Sequence, residues 1–192
     1  MTISESIHAL REDVEDWCEG RSSILRIILL AGLAYLGFRY ATNYTYGSIF
    51  SGLTLGIHEL GHVIFRPLGE FMTYAGGSLT QVLAPIIAAL LLFKQRDYFG
   101  VAVTGCWLSF SLYELATYMG DARSRELPLV SIGGGDTDHD WHYLLAEWDL
   151  LEFDTRLATM TRAIAFLLLL SSLCLSVWLC WRMARSASRQ KQ

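Results

Sequence analysis

The chain has 192 residues, of which 53% are hydrophobic and only 18% charged. A soluble domain of this length seldom carries so much apolar sequence in long runs. A formal net charge of −4 gives no reason to expect a nucleic-acid partner. The four cysteines, Cys18, Cys106, Cys174 and Cys180, show no CxxC or Cys/His spacing. That excludes a cysteine-rich metal knuckle and leaves them as small packing residues.

Residues 1–22 form an acidic N-terminal tail with Glu5, Glu12, Asp13, Glu15, Asp16 and Glu19. It lacks the basic start and short apolar core of a cleavable signal peptide. Five apolar stretches follow that are expected to cross a membrane: residues 24–38, 47–65, 79–93, 98–119 and 159–181. The third is short and holds Pro85, so a re-entrant hairpin is an alternative for it. The fifth is free of charge over residues 163–181. Between the fourth and fifth lies a polar segment, residues 120–158, holding most of the remaining Asp, Glu and His.

The expected fold is therefore an all-α polytopic membrane protein with about five transmembrane helices. It comprises the acidic tail 1–22, one integral-membrane domain 23–183 that includes the polar segment, and a basic tail 184–192. The tail residues Arg185, Arg189 and Lys191, with Arg182 just before them, place the C-terminus on the cytoplasmic side together with the Lys94/Arg96 loop. Counting five crossings, the N-terminus falls on the opposite side. Asn43-Tyr44-Thr45 is a glycosylation sequon that matters only in a eukaryotic secretory setting.

The second stretch carries the chemistry. His58-Glu59-Leu60-Gly61-His62 is an HExxH motif. Residues four apart share one face of a helix, so His58 and His62 can offer two imidazole nitrogens to one zinc ion. Glu59 is the candidate catalytic base for a water activated there. Two His and a Glu at membrane depth are costly unless they pair, bind a metal or face a cavity. The same stretch holds Ser48, Ser51 and Thr54. Its Gly52 and Gly56 form a GxxxG that would let a neighbouring helix approach closely.

A tetrahedral zinc needs a third protein ligand to leave one position for water. Six residues beyond His62, where some soluble enzymes place another His, stands Leu68. The candidates are Glu70, Glu114, Asp121, Asp138, His139, Asp140 and His142. Glu114 also needs a partner at membrane depth, either a metal-bound His that it orients or a hydroxyl or amide on a neighbouring helix.

The chain resembles the site-2 protease family of intramembrane zinc metallopeptidases, in its compact bacterial branch. Three stretches over roughly residues 53–145 carry the resemblance. They are Gly56-Ile57-His58-Glu59-Leu60-Gly61-His62, then Gly76-Gly77-Ser78-Leu79-Thr80-Gln81 before Val82-Leu83-Ala84-Pro85, and Leu127-Pro128 followed by His139-Asp140-Trp141. Gln81 stands where the family usually has Asn, and Trp141 where it has Gly. The resemblance implies that Gly76–Gln81 opens the following helix. It implies that Asp140 is the third zinc ligand; from the residues themselves, His139 and Asp121 stay open as alternatives. It also implies a bacterial inner membrane, Zn²⁺ as cofactor and a membrane-embedded or juxtamembrane peptide as substrate.

The segment Gly133-Gly134-Gly135-Asp136-Thr137-Asp138-His139-Asp140 leads into an apolar stripe, Trp141, Leu144, Leu145, Trp148 and Leu151, at helical spacing. Asp138 or Asp140 is expected to cap that helix. Asp136, Asp138, Asp140 and Glu147 also match calcium-loop positions, although Trp141 occupies the position that needs Gly. HExxH specifies an activated water and not its target. A hydrolase acting on a lipid or small amphiphile, and a non-catalytic metal-binding regulator, therefore remain alternatives.

Overall fold

A computed structural model describes residues 2–128 and 138–189. These residues form seven α-helices and two 3-10 turns, and no strand occurs among them. The helices are α1 (Ile3–Cys18), α2 (Ile24–Thr42), α3 (Ser51–Phe65), α4 (Glu70–Lys94), α5 (Tyr98–Gly120), α6 (Asp140–Glu147) and α7 (Asp154–Arg189).

The acidic N-terminal segment is a helix rather than an irregular tail. Its start is a capping box: Thr2 Oγ1 accepts from the Glu5 backbone N–H at 3.2 Å, and Glu5 Oε2 accepts from the Thr2 N–H at 2.8 Å. Val14 and Cys18 bury against Tyr98, Phe99, Leu179 and Met183. Asp13 pairs with Arg96 and Tyr98, and Glu15 with Arg182 at 2.5 Å. Where water surrounds this end, a fully buried Leu or Met contributes roughly 1.5–3 kcal/mol.

Four helical stretches are long and apolar enough to cross a membrane: Ile24–Thr42, Glu70–Lys94, Tyr98–Gly120 and Leu151–Ser188. The expected second span is not among them. Its helix, α3, has 15 residues, about 22 Å at 1.5 Å per residue, against a hydrocarbon core of about 30 Å. Residues 47–50 stay outside the helix. At its other end Pro67, lacking an N–H and restricting the residue before it, passes the chain into the turn Arg66–Leu68. Gly69, at φ +100°, then reverses the chain into α4.

The expected third span is one continuous helix through Pro85, not a hairpin. It begins at Glu70, so Gly76-Gly77-Ser78 lie inside it instead of opening it. The fifth span extends at both ends, and the described part of the basic tail continues α7.

With α3 too short to be counted, the helices long and apolar enough to cross number four, which is even. The contacts of α1 with Arg96 and Arg182 put the N-terminus at the same end as the α4–α5 loop and the end of α7. This corrects the expectation of opposite ends. Hydropathy alone counts α3 with the spans, whereas its 15 residues leave it outside the helices long enough to be one.

The bundle is organised on α5, which packs most extensively against α7 and also against α4. Lipid offers no hydrophobic drive between apolar helices, so close contact depends on small residues and interhelical hydrogen bonds. Gly37 leaves room only for Leu169, Gly105 lies against Ser172, and Ser109 Oγ donates to the Ala165 carbonyl at 2.7 Å. On the outer surface α2 and α7 expose Ile24, Leu25, Ile28, Ile164, Leu167 and Leu170. The four cysteines are free, three of them buried as packing residues.

Candidate metal centre

Helices α3 and α4 run antiparallel and touch through glycine. A Cβ on Gly76 would lie 2.7 Å from the Gly61 carbonyl oxygen, and one on Gly61 would collide with the Gly76 backbone. This brings the HExxH face of α3 onto α4. The GxxxG pair does not make the approach, because Gly52 and Gly56 have nothing within 4 Å of where a Cβ would stand.

The two imidazoles are fixed from behind. Gln81 Nε2 donates to the Ser111 carbonyl at 3.1 Å, which leaves Gln81 Oε1 facing His58 Nδ1 at 3.0 Å. That oxygen can only accept, so His58 Nδ1 carries the proton. His62 Nδ1 lies 2.8 Å from the Thr73 carbonyl and must likewise donate. Both Nε2 atoms then present lone pairs on the same side.

Asp140 meets those lone pairs. It is the first residue of α6, and its Oδ2 lies 2.9 Å from His58 Nε2 and 3.3 Å from His62 Nε2. Two neutral imidazole lone pairs and a carboxylate oxygen are three acceptors, and they repel unless a cation or added protons stand between them. Burial disfavours a pair of imidazolium ions. One ligand atom from each residue lies within 4.8 Å of the others. A tetrahedral ion with bonds of about 2.0–2.1 Å has ligand atoms about 3.3 Å apart, close to the spacing found. His58, His62 and Asp140 therefore form a group that could hold a metal ion. Burial by itself would raise the Asp140 carboxyl. Protons on the Nε2 atoms opposite it outweigh burial and hold the group below the usual carboxylate range, and a cation between the three groups would favour the same ionised state, the one a ligand needs.

Tyr118 braces the third member. Its hydroxyl oxygen accepts from the Asp140 N–H at 3.0 Å, and its ring lies 4.3 Å from that of His139 and 5.9 Å from that of His58. Neither Tyr118 nor the Thr73 carbonyl was singled out from sequence. A backbone carbonyl has no side-chain signature, and Tyr118 is one aromatic among many in its helix.

The other candidates stand elsewhere. His139, not Asp138 or Asp140, caps α6: its Nδ1 accepts from the His142 N–H at 3.2 Å. Its Nε2 is 3.3 Å from Asp121 Oδ2 without forming a hydrogen bond. Asp121 closes the loop after α5, accepting from Ser124 Oγ and from the Glu126 and Leu127 N–H groups. Burial would raise its carboxyl, but these donors together lower it. His142 Nδ1 lies 2.8 Å from the Ala122 carbonyl. Glu114 accepts from Tyr40 and Ser51, each at 2.6 Å, so it serves helix packing and not a histidine. Glu70 is exposed. In the calcium-loop pattern Asp136 lies outside the described residues. Asp138 accepts from the Tyr74 hydroxyl, Asp140 turns to the histidines and Glu147 is exposed.

Glu59, beside His58 on α3, is half-buried and accepts no hydrogen bond among the described residues. Gly77 sits against the His58 ring, where a Cβ would come within 2.5 Å of Nε2. Gly77→Ala is accordingly expected to push that nitrogen off line and weaken metal binding at least about tenfold, the lower range for disturbing a ligand's support. Gly52→Ala and Gly56→Ala, on the open face, should leave metal binding unchanged. A competition titration of metal affinity on the three variants checks this, and equal affinities would remove Gly77 from the centre.

Compared with protein-family models, with curated proteins and with solved structures, the chain matches none.

Proposed function

We propose that the protein is an integral-membrane zinc metallopeptidase, related to the site-2 protease family, that cuts membrane-embedded or juxtamembrane peptide bonds. The reading includes the bacterial inner membrane that the resemblance implies. The observation that carries it is the meeting of Asp140 Oδ2 with both histidine Nε2 atoms beside Glu59. The helices that hold this group include two, α4 and α5, that are apolar enough to cross a membrane.

Two imidazoles and one carboxylate, with a fourth position left to water, form a donor set typical of hydrolytic zinc. When bound, zinc supplies Lewis acidity towards a carbonyl and lowers the pKa of water to near neutrality. The chain supplies the rest. Gln81 and Thr73 hold the protons of the two Nδ1 atoms, which turns both Nε2 atoms towards the metal position. Asp140 contributes negative charge and closes the site from the α6 side. Glu59 takes the proton of the attacking water and returns it to the leaving amine nitrogen. A scissile bond inside a helix is shielded by its own hydrogen bonds, so the substrate must unwind locally to reach Glu59.

Metal analysis of detergent-purified protein tests the reading. The wild type should carry about one zinc per chain. His58→Ala and His62→Ala should each lose most of it while keeping their helical content. Equal zinc in all three proteins would overturn the proposal.

A further inference from the structure

Helix α1 has an apolar stripe that runs past the surface it packs on. Ile3, Ile7, Leu10, Val14 and Cys18 follow one another at intervals of four, three, four and four. That spacing confines them to an arc of roughly 100° on the helix. Glu5, Glu12, Asp16 and Glu19 occupy the opposite side. The inner part of the stripe is covered: Val14 is 8% exposed and Cys18 1%. On the same face further out, Leu10 is 43% exposed, Ile7 63% and Ile3 83%.

The anchors say where that outer face points. Asp13 holds Arg96 and Tyr98, at the junction of α4 and α5, and Glu15 holds Arg182, at the end of the apolar part of α7. Ser186 Oγ donates to the Cys18 carbonyl at 3.4 Å. The helix is thus pinned across one end of the bundle, at the level where α2 begins with exposed Ile24 and Leu25. A face directed into the bundle at Val14 and Cys18 is directed, one to three turns further out, into whatever surrounds the bundle at that level.

We propose that the outer half of α1 is an interfacial anchor. Ile3, Ile7 and Leu10 enter the boundary between lipid headgroups and acyl chains, and the acidic face stays in water. The occupant is the bilayer and not a second copy of the chain, because the stripe continues without a break from a face already covered by the bundle end. The helix is also held at the end of the bundle where α2 begins with exposed Ile24 and Leu25. The acidic face makes the anchor suited to zwitterionic headgroups, since anionic lipids would repel it. The proposal rests on the integral-membrane part of the proposed function and is independent of the metal site.

The test uses the full chain in phosphatidylcholine vesicles, in a Cys174→Ser background because Cys174 is the exposed cysteine. A fluorophore is attached through Ile7→Cys, Leu10→Cys, Glu12→Cys or Leu167→Cys. Each is quenched separately by a nitroxide carried high on a lipid chain and by a water-soluble nitroxide. The labels at positions 7 and 10 should be quenched severalfold more by the lipid probe, and the label at position 12 by the aqueous one. Position 167, exposed on α7, reports on the membrane reading itself. If position 167 sees lipid while positions 7 and 10 see water, the anchor is wrong and the membrane reading stands. If position 167 sees only water, both fail. If positions 7 and 10 are shielded from both probes, another protein surface covers the stripe and the lipid assignment is overturned.

Discussion

Asp140→Ala is expected to lower metal affinity by more than the roughly ten- to hundredfold typical of disturbing a ligand's support. The variant removes the one carboxylate that both histidine Nε2 atoms face. Two imidazoles alone, without negative charge, leave a divalent cation under-coordinated. Asp138→Ala removes only an acceptor for the Tyr74 hydroxyl, and Asp121→Ala loosens the loop after α5. Both should keep their metal. Asp140 also begins α6, so Asp140→Asn belongs beside the alanine variant. It keeps side-chain volume and the N–H bond to Tyr118 while removing the charge. Metal content and affinity of the four variants, with helical content as the control for folding, decide the matter. Full occupancy in Asp140→Ala together with loss in Asp121→Ala or a His139→Ala variant would move the third ligand to that pair.

Glu59→Gln should retain metal and fold yet lose hydrolysis by at least about a hundredfold, the usual lower bound for removing a positioned acid–base group. The amide is nearly isosteric with the carboxylate but cannot take a proton at neutral pH. Glu59 accepts no hydrogen bond among the described residues and is only half-buried, so the exchange breaks no structural contact seen there. Cleavage of an identified membrane peptide, read beside metal content, gives the answer. Undiminished cleavage would remove Glu59 from the mechanism. Cleavage lost together with the metal would assign Glu59 to the metal site instead.

What was legible in the sequence was local. The i, i+4 spacing fixes His58 and His62 on one face whatever surrounds them. Long apolar runs mark α2, α4, α5 and α7 because length and hydropathy are properties of a segment. The acidic N-terminal stretch is visible as charge, and a local mark of its helix is Thr2 and Glu5 at capping-box spacing.

Tertiary structure decided everything that depends on a distant partner. Asp140 comes to His58 across 82 residues of chain, and no periodicity distinguishes it from Asp138 or His139 beside it. Only the placement of α6 by its His139 cap and by Tyr118 turns that carboxylate inward. Residues 51–65 are as apolar inside a protein groove as in lipid, so hydropathy could not show that α3 stops at 15 residues. The glycines followed the same rule. Gly52 and Gly56 carry the recognisable motif but face open space, while Gly61, Gly76 and Gly77 make the close approach that seats the histidines. A sequence specifies which groups its helices carry on each face. Which faces meet depends on the packing of all the helices together, and here that packing placed the carboxylate and the two imidazoles in one site.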